Sequence, residues 1–179
     1  MPNATKVMKS IIFFLTFVII SCRQDPATPE VKLAKSACEI AAEFPDVSTL
    51  RTAELAAWLD DPKRDSPILL DVREPEEYAV SHLPGARRVD PDADAAKLLA
   101  SLAPQRPIIL YCSIGYRSSK LAKELLIVGA TDVRNLSGSI FQWANEGRPI
   151  ESDGKPAHQV HPYNSRYAKM LLPKLRMKP

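Results

Sequence analysis

The sequence has little of what defines several protein classes. Its three cysteines are too few for a dense disulfide scaffold, and no cluster of cysteine and histidine has the spacing of a metal site. A formal net charge of only +3 argues against a whole-chain nucleic-acid binder. No repeat or low-complexity tract is evident. Because 45% of the 179 residues are hydrophobic and 25% are charged, the chain is neither collagen-like nor wholly disordered, and its length suits one domain.

An apolar run long enough for a permanent membrane span is also missing. Residues 11–20 are apolar apart from Thr16. As a helix they extend about 15 Å, against roughly 30 Å for the core of a bilayer. Lys6 and Lys9 precede this run, and the small residue Ser21 follows it. A basic start, a short apolar run and a small residue together predict a secretory signal over residues 1–21.

The end of this segment, Ile19–Cys22, resembles a bacterial lipobox, although the pattern prefers leucine where this chain has Ile19. The resemblance implies that Cys22 is lipidated and becomes the mature N-terminus. Several acyl chains would give lasting membrane attachment. The expected location is therefore the bacterial cell envelope, anchored to the membrane and facing the periplasm or the exterior. An ordinary cleaved signal and an uncleaved anchor are the alternatives.

Residues 22–45 are predicted to be a tether and an approach to the folded domain. Prolines and scattered charges at 23–30 are typical of a spacer. Residues 31–44 predict a helix whose apolar stripe comprises Val31, Ala34, Cys38 and Ala41 or Ala42. On that stripe, Cys38 is expected to be a small packed side chain. A second redox thiol that pairs with Cys112 is the alternative.

The folded domain is predicted over residues 46–150. Apolar runs predict buried strands at 68–72 and 108–111, and a third strand is expected at 132–136. Helical patterns alternate with them at 53–61 (capped by Thr52), 74–81, 94–102, 118–128 and 140–145. This alternation predicts an α/β fold with a mostly parallel, covered sheet. In such sheets, ligands bind at the carboxyl ends of the strands.

The second clear strand ends at a loop that suits nucleophilic chemistry. Cys112 follows the strand and precedes a helix, so loop and helix-terminal N–H groups, together with Arg117, favour its thiolate over its thiol. Gly115 allows a backbone twist that turns successive N–H groups inward as a cradle. Arg117 can hold an oxyanion through two parallel hydrogen bonds. The pattern indicates an anionic substrate attacked by sulfur; a buried cysteine beside a surface arginine is the alternative.

Three ordered motifs extend across nearly the whole predicted domain. They are Leu70–Glu74 with Glu77–Tyr78 and His82–Ala86, then Cys112–Arg117, then Leu136–Gly147 with Gly138 and Trp143. Together they resemble the rhodanese family, whose members move a sulfane sulfur from a donor such as thiosulfate to a thiophilic acceptor. The resemblance implies a single rhodanese-like α/β domain, with a mostly parallel central sheet and helices on both faces.

The resemblance also implies a sulfurtransferase, and no cofactor or metal is expected. Its substrates would be a small anionic sulfur donor and a thiol or cyanide acceptor, with no nucleic-acid partner. By this resemblance, Cys112 is the nucleophile and carries a persulfide, and Arg117 binds the anion. The substrate loop consists of Ser113, Ile114, Gly115 and Tyr116, and the pocket is supported by Asp71 and Arg73. Glu74 and His82 are expected to define the fold, and Trp143 to lie in the core or the pocket wall.

Three positions depart from the family pattern. Ser81 and Ser139 stand where glycine is usual, and Arg87–Arg88 fills a stretch where asparagine and an apolar residue are common. None of these changes removes the nucleophile or the cradle. The two arginines are expected to be solvated charges, with an effect on acceptor choice as the alternative.

Loop length separates sulfur transfer from related chemistry. The same fold resembles dual-specificity phosphatases of the cell-cycle type, which need Cys-x5-Arg, whereas this loop is Cys112-x4-Arg117. The shorter cradle favours sulfur transfer over phosphatase or arsenate chemistry. A non-catalytic or sulfur-carrier module that docks an envelope partner stays open as an alternative, because a carrier would keep the same loop.

Residues 151–179 are predicted to form a basic tail. Six basic residues and no acid lie from Lys155 to Pro179, whereas all 21 acidic residues lie between positions 22 and 154. A short amphipathic helix is expected over 165–172. Three alternatives remain for the tail, which are packing against the acidic domain, contact with anionic lipid, and a disordered end.

Overall fold

A computed structural model describes residues 27–102 and 106–177. The predicted signal and Cys22 lie outside these residues. The central sheet is composed of β1 (Ser48–Leu50), β2 (Ile68–Asp71), β3 (Arg87–Arg88), β4 (Ile108–Tyr111) and β5 (Val133–Leu136). Every pair in it is parallel, and the spatial order is β1-β5-β4-β2-β3. The predicted α/β fold is confirmed, with a central sheet that is wholly parallel.

Helices surround this sheet. They are α1 (Pro29–Glu43), α2 (Thr52–Leu59), α3 (Pro75–Val80), α4 (Ala95–Ser101), α5 (Tyr116–Ile127) and α6 (Ser139–Asn145). The α5 helix packs on β4 and β5, and α4 packs on α5, whereas α1 and α2 pack against α6. None of the helices in the described part of the chain combines the length and the apolar character that a membrane crossing needs.

The central strand β4 determines where the candidate site lies. Its four residues are all buried, as expected for a strand covered on both faces, and it pairs with β2 on one side and β5 on the other. The chain leaves β4 at Cys112, so the loop that follows begins at the middle of the sheet's carboxyl edge. The sequence predicted the bounds of this strand correctly.

The first helix buries a different face from the predicted one. Leu33 and Ile40 enter the core, whereas Val31 and Cys38 on the predicted stripe are exposed. The prediction that Cys38 is packed is therefore wrong. The larger leucine and isoleucine remove more apolar surface from water than valine, alanine and cysteine do, and this favours the observed orientation.

The second helix begins one residue earlier than predicted. Arg51 is its N-cap, and the backbone N–H of Arg51 donates to Glu54 Oε2 at 2.9 Å. Thr52 is therefore not the cap. Its hydroxyl instead donates to Glu146 Oε1 at 2.8 Å, which joins the start of α2 to the end of α6.

Three short features escaped the sequence analysis. The edge strands β1 and β3 contain only three and two residues. A hairpin formed by β6 (Ile150–Ser152) and β7 (Lys155–Ala157) turns at Asp153–Gly154, where φ is 50° and 71°. An Asp-Gly pair with two positive φ values suits such a hairpin turn.

The residues Arg87–Arg88 form an edge strand, and Arg88 Nη1 donates to the carbonyl of Arg73 at 3.2 Å.

The C-terminal segment, defined here as residues 158–177, packs against the domain. It contains α7 (Ser165–Ala168), shorter than the predicted helix, and a 3-10 turn at Pro173–Leu175. Val160 and Leu171 are fully buried in the core. The structure therefore agrees with the first of the three alternatives for the tail, which is packing against the domain.

Candidate active site

The candidate nucleophile lies at the start of the loop after β4. Cys112 is only 2% exposed, and its backbone N–H donates to Ser139 Oγ at 3.2 Å. The backbone N–H of Gly115 donates to Cys112 Sγ at 3.2 Å. Of the predicted cradle of successive N–H groups, this contact supplies one, and it places partial positive charge next to the candidate nucleophile.

The position of Gly115 requires a glycine for two separate reasons. Its φ is 116°, a backbone conformation that side chains disfavour. A Cβ added there would lie 3.0 Å from Asn135 Nδ2. Asn135 is itself buried, and its Oδ1 accepts a hydrogen bond from Ser118 Oγ at 2.7 Å, so it has little freedom to retreat. The loop conformation is therefore defined by β5 and α5 as well as by its own sequence.

Arg117 closes the loop through a paired interaction with a buried carboxylate. Its Nη1 and Nη2 donate to Glu77 Oε2 and Oε1 at 2.7 and 2.9 Å, in a bidentate arrangement. Ser113 Oγ also donates to Glu77 Oε1, at 2.8 Å, and accepts from Arg117 Nη2 at 3.1 Å. Glu77 thus ties the start of α3 to both ends of the loop. Anion binding by Arg117 stays a prediction.

The charges of this pair support one another. Burial acts to raise the pKa of Glu77, but the hydrogen bond and the charge of Arg117 outweigh it, so that this pKa lies below its ordinary value. Burial acts to lower the pKa of Arg117, but the hydrogen bond to Glu77 and the neighbouring sulfur of Cys112 raise it. Both groups are therefore charged at neutral pH, and a permanent cation lies beside Cys112.

A cavity of about 110 Å³ opens beside the sulfur. Four of the predicted loop residues line it with Cys112, namely Ser113, Ile114, Tyr116 and Arg117. Tyr116 is fixed from α1, because its hydroxyl donates to Glu43 Oε1 at 2.7 Å and its ring meets Phe44 edge-on at 5.4 Å. The end of the first helix therefore positions one of the side chains that line this cavity.

Two tyrosines from the C-terminal segment complete the cavity. Tyr163 and Tyr167 line it together with the loop residues. The sequence analysis missed both, because they lie about fifty residues beyond Cys112 and no local pattern brings them to it. The two tyrosines can be expected at the site only if the tail packs against the domain. The sequence leaves that packing as one of three alternatives.

Asp71 and Arg73 form a fully buried pair next to the loop. Arg73 Nη2 donates to Asp71 Oδ2 at 2.7 Å, and Arg73 Nε donates to Asp71 Oδ1 at 2.9 Å. The pair is not among the residues that line the cavity described above. Tyr111 lies close by, and its hydroxyl accepts from the backbone N–H of Leu83 at 3.0 Å. These contacts join the ends of β2 and β4 to the turn after α3.

Three further residues from the sequence motifs make contacts that belong to the fold. The His82 ring stacks on Tyr78 with 3.9 Å between ring centroids. Trp143 is 2% exposed and donates to the carbonyl of Pro149 at 2.8 Å, which confirms its place in the core. Ser139 has φ 52°, and its Oγ accepts from Cys112 N–H while donating to the carbonyl of Leu136. The serine that departs from the family pattern thus contacts the backbone of the candidate nucleophile.

The described residues offer neither a metal site nor a disulfide. Within residues 27–102 and 106–177, no group of three or more histidine, cysteine, aspartate or glutamate side chains is arranged to hold a metal ion. The expectation that the protein needs no cofactor stays a prediction. Cys38 and Cys112 are free thiols, one exposed and one buried.

Known proteins resemble this chain over most of its folded domain. The sequence profile of the Rhodanese-like domain matches residues 52–146, which is more than half of the chain. The probable adenylyltransferase/sulfurtransferase MoeZ of Mycobacterium tuberculosis is 29% identical over 143 residues, which cover 75% of this chain and 36% of MoeZ. A tRNA uridine(34) hydroxylase of Erwinia tasmaniensis is 29% identical over 115 residues, which cover 59% of this chain and 32% of the hydroxylase. The chain thus spans about a third of the length of each of these relatives.

Solved structures share the fold. The rhodanese-like domain protein from Staphylococcus aureus has a TM-score of 0.52 at 27% identity, covering 60% of this chain and 100% of that chain. The rhodanese-like domain of the Alr3790 protein from Anabaena has a TM-score of 0.53 at 24% identity, covering 65% of this chain and 89% of that domain. At this identity, the second likeness shows the fold alone.

Proposed function

Since the chain belongs to the rhodanese-like domain family, we propose that it is a sulfurtransferase whose nucleophile is Cys112. The observation that carries the proposal is the position of Cys112 Sγ, which accepts from the backbone N–H of Gly115 at 3.2 Å inside a cavity that Arg117 also lines. A family member that only docks a partner has no need for this arrangement of thiol, N–H donor and cation.

The reaction has two half-reactions, as in other covalent catalysis. In the first, the Cys112 thiolate forms an S–S bond with the outer sulfur of thiosulfate. The S–S bond of thiosulfate breaks, and sulfite leaves with the electron pair, which leaves a persulfide on Cys112. In the second, cyanide or a thiolate bonds to that outer sulfur. The persulfide S–S bond then breaks, and Cys112 regains its electron pair as a thiolate.

Arg117 and the loop have separate parts in this scheme. The guanidinium lies beside the sulfur, and its charge offsets the negative charge of the donor and of the departing sulfite. Glu77 holds it through both terminal nitrogens, so that the cation is already in place before the donor arrives. The backbone N–H of Gly115 offers a donor to the sulfur both as a thiolate and as a persulfide.

Mass spectrometry of Cys112 tests the proposal. The full chain is exposed to thiosulfate, and the peptide that contains Cys112 is compared with the peptide that contains Cys38. A gain of one sulfur atom at Cys112, absent in Cys112→Ser, is the expected result. No gain at Cys112 would overturn the proposal. Thiocyanate production from cyanide then distinguishes an enzyme from a dedicated sulfur carrier.

The location of the protein is a separate proposal. The sequence of residues 19–22 supports lipidation at Cys22 and anchoring in the bacterial cell envelope. Expression of the full chain with Cys22→Ser is expected to move the protein from the membrane fraction to the released fraction, whereas Cys38→Ser leaves it in the membrane fraction. Equal membrane retention of both variants would contradict lipidation at Cys22.

A further inference from the structure

The C-terminal segment is fixed in place beside the candidate active site. The backbone N–H of Val160 donates to the carbonyl of Leu175 at 2.7 Å. Asn145, at the end of α6, donates to the carbonyl of Met170 at 2.8 Å and accepts from the backbone N–H of Leu172 at 2.9 Å. These contacts join both halves of the segment to each other and to the helix that follows β5.

The segment presents two aromatic rings to the cavity over Cys112. Tyr163 and Tyr167 both line the cavity, and their ring centroids lie 5.5 Å apart. The guanidinium carbon of Arg117 lies 4.8 Å from the centroid of Tyr163, within the range of a cation–π contact. Arg117 therefore contacts Glu77 from the domain and Tyr163 from the C-terminal segment at the same time.

The backbone around Tyr163 is held in an uncommon conformation. Its φ is 63°, in the left-handed region that tyrosine seldom adopts. Its N–H donates to His161 Nδ1 at 3.1 Å, and the next residue, Asn164, caps α7 by accepting from the backbone N–H of Tyr167 at 3.0 Å. Several local contacts thus position these two rings, as expected where a site requires a strained residue.

We infer that Tyr163 and Tyr167 set the size limit on the sulfur donors and acceptors that reach Cys112. The inference rests on the proposed sulfurtransferase function. The cavity over Cys112 has a volume of about 110 Å³, and Tyr163 and Tyr167 supply two of its seven lining residues. A thiosulfate-sized anion, cyanide or a small thiol fits such a space. A donor or acceptor that carries an aromatic ring or a peptide beside its reacting sulfur is expected to be excluded unless the two tyrosines are removed.

Thiol alkylation measures this limit without any sulfur transfer. The full chain is treated with iodoacetamide, a small reagent, or with N-phenylmaleimide, a bulky one. Peptide mass spectrometry follows each cysteine separately, and the exposed Cys38 serves as the internal reference. In the unchanged protein, N-phenylmaleimide is expected to react at Cys112 at least about tenfold more slowly, relative to Cys38, than iodoacetamide does.

Two tyrosine variants and one control complete the design. Tyr163→Ala with Tyr167→Ala is expected to raise the relative rate of N-phenylmaleimide at Cys112 about tenfold and to change the iodoacetamide rate much less. Tyr163→Ala alone, at a side chain 46% exposed, gives a smaller rise and a second test if the double variant does not fold. Arg166→Ala, an exposed change on α7 that does not line the cavity, is expected to change neither rate.

An unchanged ratio of bulky to small reagent in the tyrosine variants overturns the inference, as does an equal rise in Arg166→Ala. These outcomes are independent of the proposed function, because alkylation needs only an accessible thiol. If Cys112 gains no sulfur from thiosulfate, the proposed function fails instead. If both the proposed function and this inference hold, the variant with both tyrosines changed is expected to use benzenethiosulfonate about tenfold better relative to thiosulfate. The ratio of the kcat/KM values for the two donors measures this preference.

Discussion

The carboxylate of Glu77 holds Arg117 through both of its terminal nitrogens, at 2.7 and 2.9 Å, and the Glu77 side chain is only 1% exposed. Because Glu77 belongs to α3 and Arg117 to the first turn of α5, this contact joins two elements that lie 40 residues apart. The contact positions the guanidinium of Arg117 in the candidate site. It also satisfies most of the hydrogen-bond acceptor positions of the buried Glu77 carboxylate. Stability and the proposed activity are therefore both expected to depend on this ion pair.

Glu77→Gln is expected to weaken both properties. Removing one partner of a fully buried ion pair costs roughly 3–5 kcal/mol, and we expect about 2–3 kcal/mol here because the Arg117 side chain is 21% exposed. A less fixed Arg117 is expected to lower kcat/KM for thiosulfate about tenfold or more. Urea unfolding and steady-state kinetics measure the two effects.

The neighbouring residue Glu76 supplies the control for this change. It lies on the same helix and is exposed, so Glu76→Gln removes the same charge without breaking the pair. Its effect on unfolding is expected to stay within about 0.5 kcal/mol. If the two variants lose stability and activity equally, the ion pair has no special role.

The same pair predicts how stability depends on pH. The pKa of Glu77 in the folded protein is lowered from its ordinary value of 4.5. A carboxyl group of this kind contributes stability above its unfolded pKa and loses that contribution as the pH falls through its folded pKa. The difference in unfolding free energy between the unchanged protein and Glu77→Gln is therefore expected to be full near pH 7 and to shrink below about pH 4.5. Urea titrations over this range measure it, and a difference that grows at acid pH would contradict the assignment.

Gly115→Ala is expected to damage the loop more than a comparable change elsewhere. The positive φ costs about 1–3 kcal/mol for a residue with a side chain, and the new Cβ also meets Asn135 Nδ2 at 3.0 Å. Since the Gly115 N–H faces the sulfur, sulfur loading of Cys112 is expected to fall as well. Thermal unfolding and mass spectrometry report the two losses.

Gly129→Ala separates strain from crowding. Gly129 follows α5, has φ 100°, and has no atom within 4 Å of an added Cβ. It therefore reports the cost of backbone strain alone. The Gly115 variant is expected to lose more stability than the Gly129 variant and to be the only one of the two that loses sulfur loading. Equal behaviour of the two variants would mean that the contact with Asn135 is unimportant.

Local sequence was sufficient for the parts of the fold that bury continuous apolar runs. The strand β4 was predicted with its correct bounds, because four consecutive apolar or aromatic residues after Pro107 suit a strand covered on both faces. Cys112 and Arg117 were found from their place after this strand. The edge strands β1 and β3 were missed because they are short and polar, and only pairing with distant partners defines them.

The part of the site that comes from the C-terminal segment depends on contacts that no local pattern encodes. Tyr163 and Tyr167 reach the cavity because the C-terminal segment buries Val160 and Leu171, which a composition rich in basic residues does not indicate. The role of Glu77 was missed for a related reason. Its motif was recognised, but its two hydrogen bonds to Arg117 form only when α3 and α5 meet across the carboxyl edge of the sheet.

The orientation of α1 can be tested by substitutions on its two faces. Two stripes of this helix have helical spacing, and the structure buries the one that contains Leu33 and Ile40. Leu33 is fully buried, so Leu33→Ala is expected to lower the unfolding free energy by about 2–5 kcal/mol. Val31 is 57% exposed, so Val31→Ala is expected to stay within about 0.5 kcal/mol. Urea unfolding of the two variants compares the stripes directly, and a larger loss for Val31→Ala would mean that the helix packs with the originally predicted face inward.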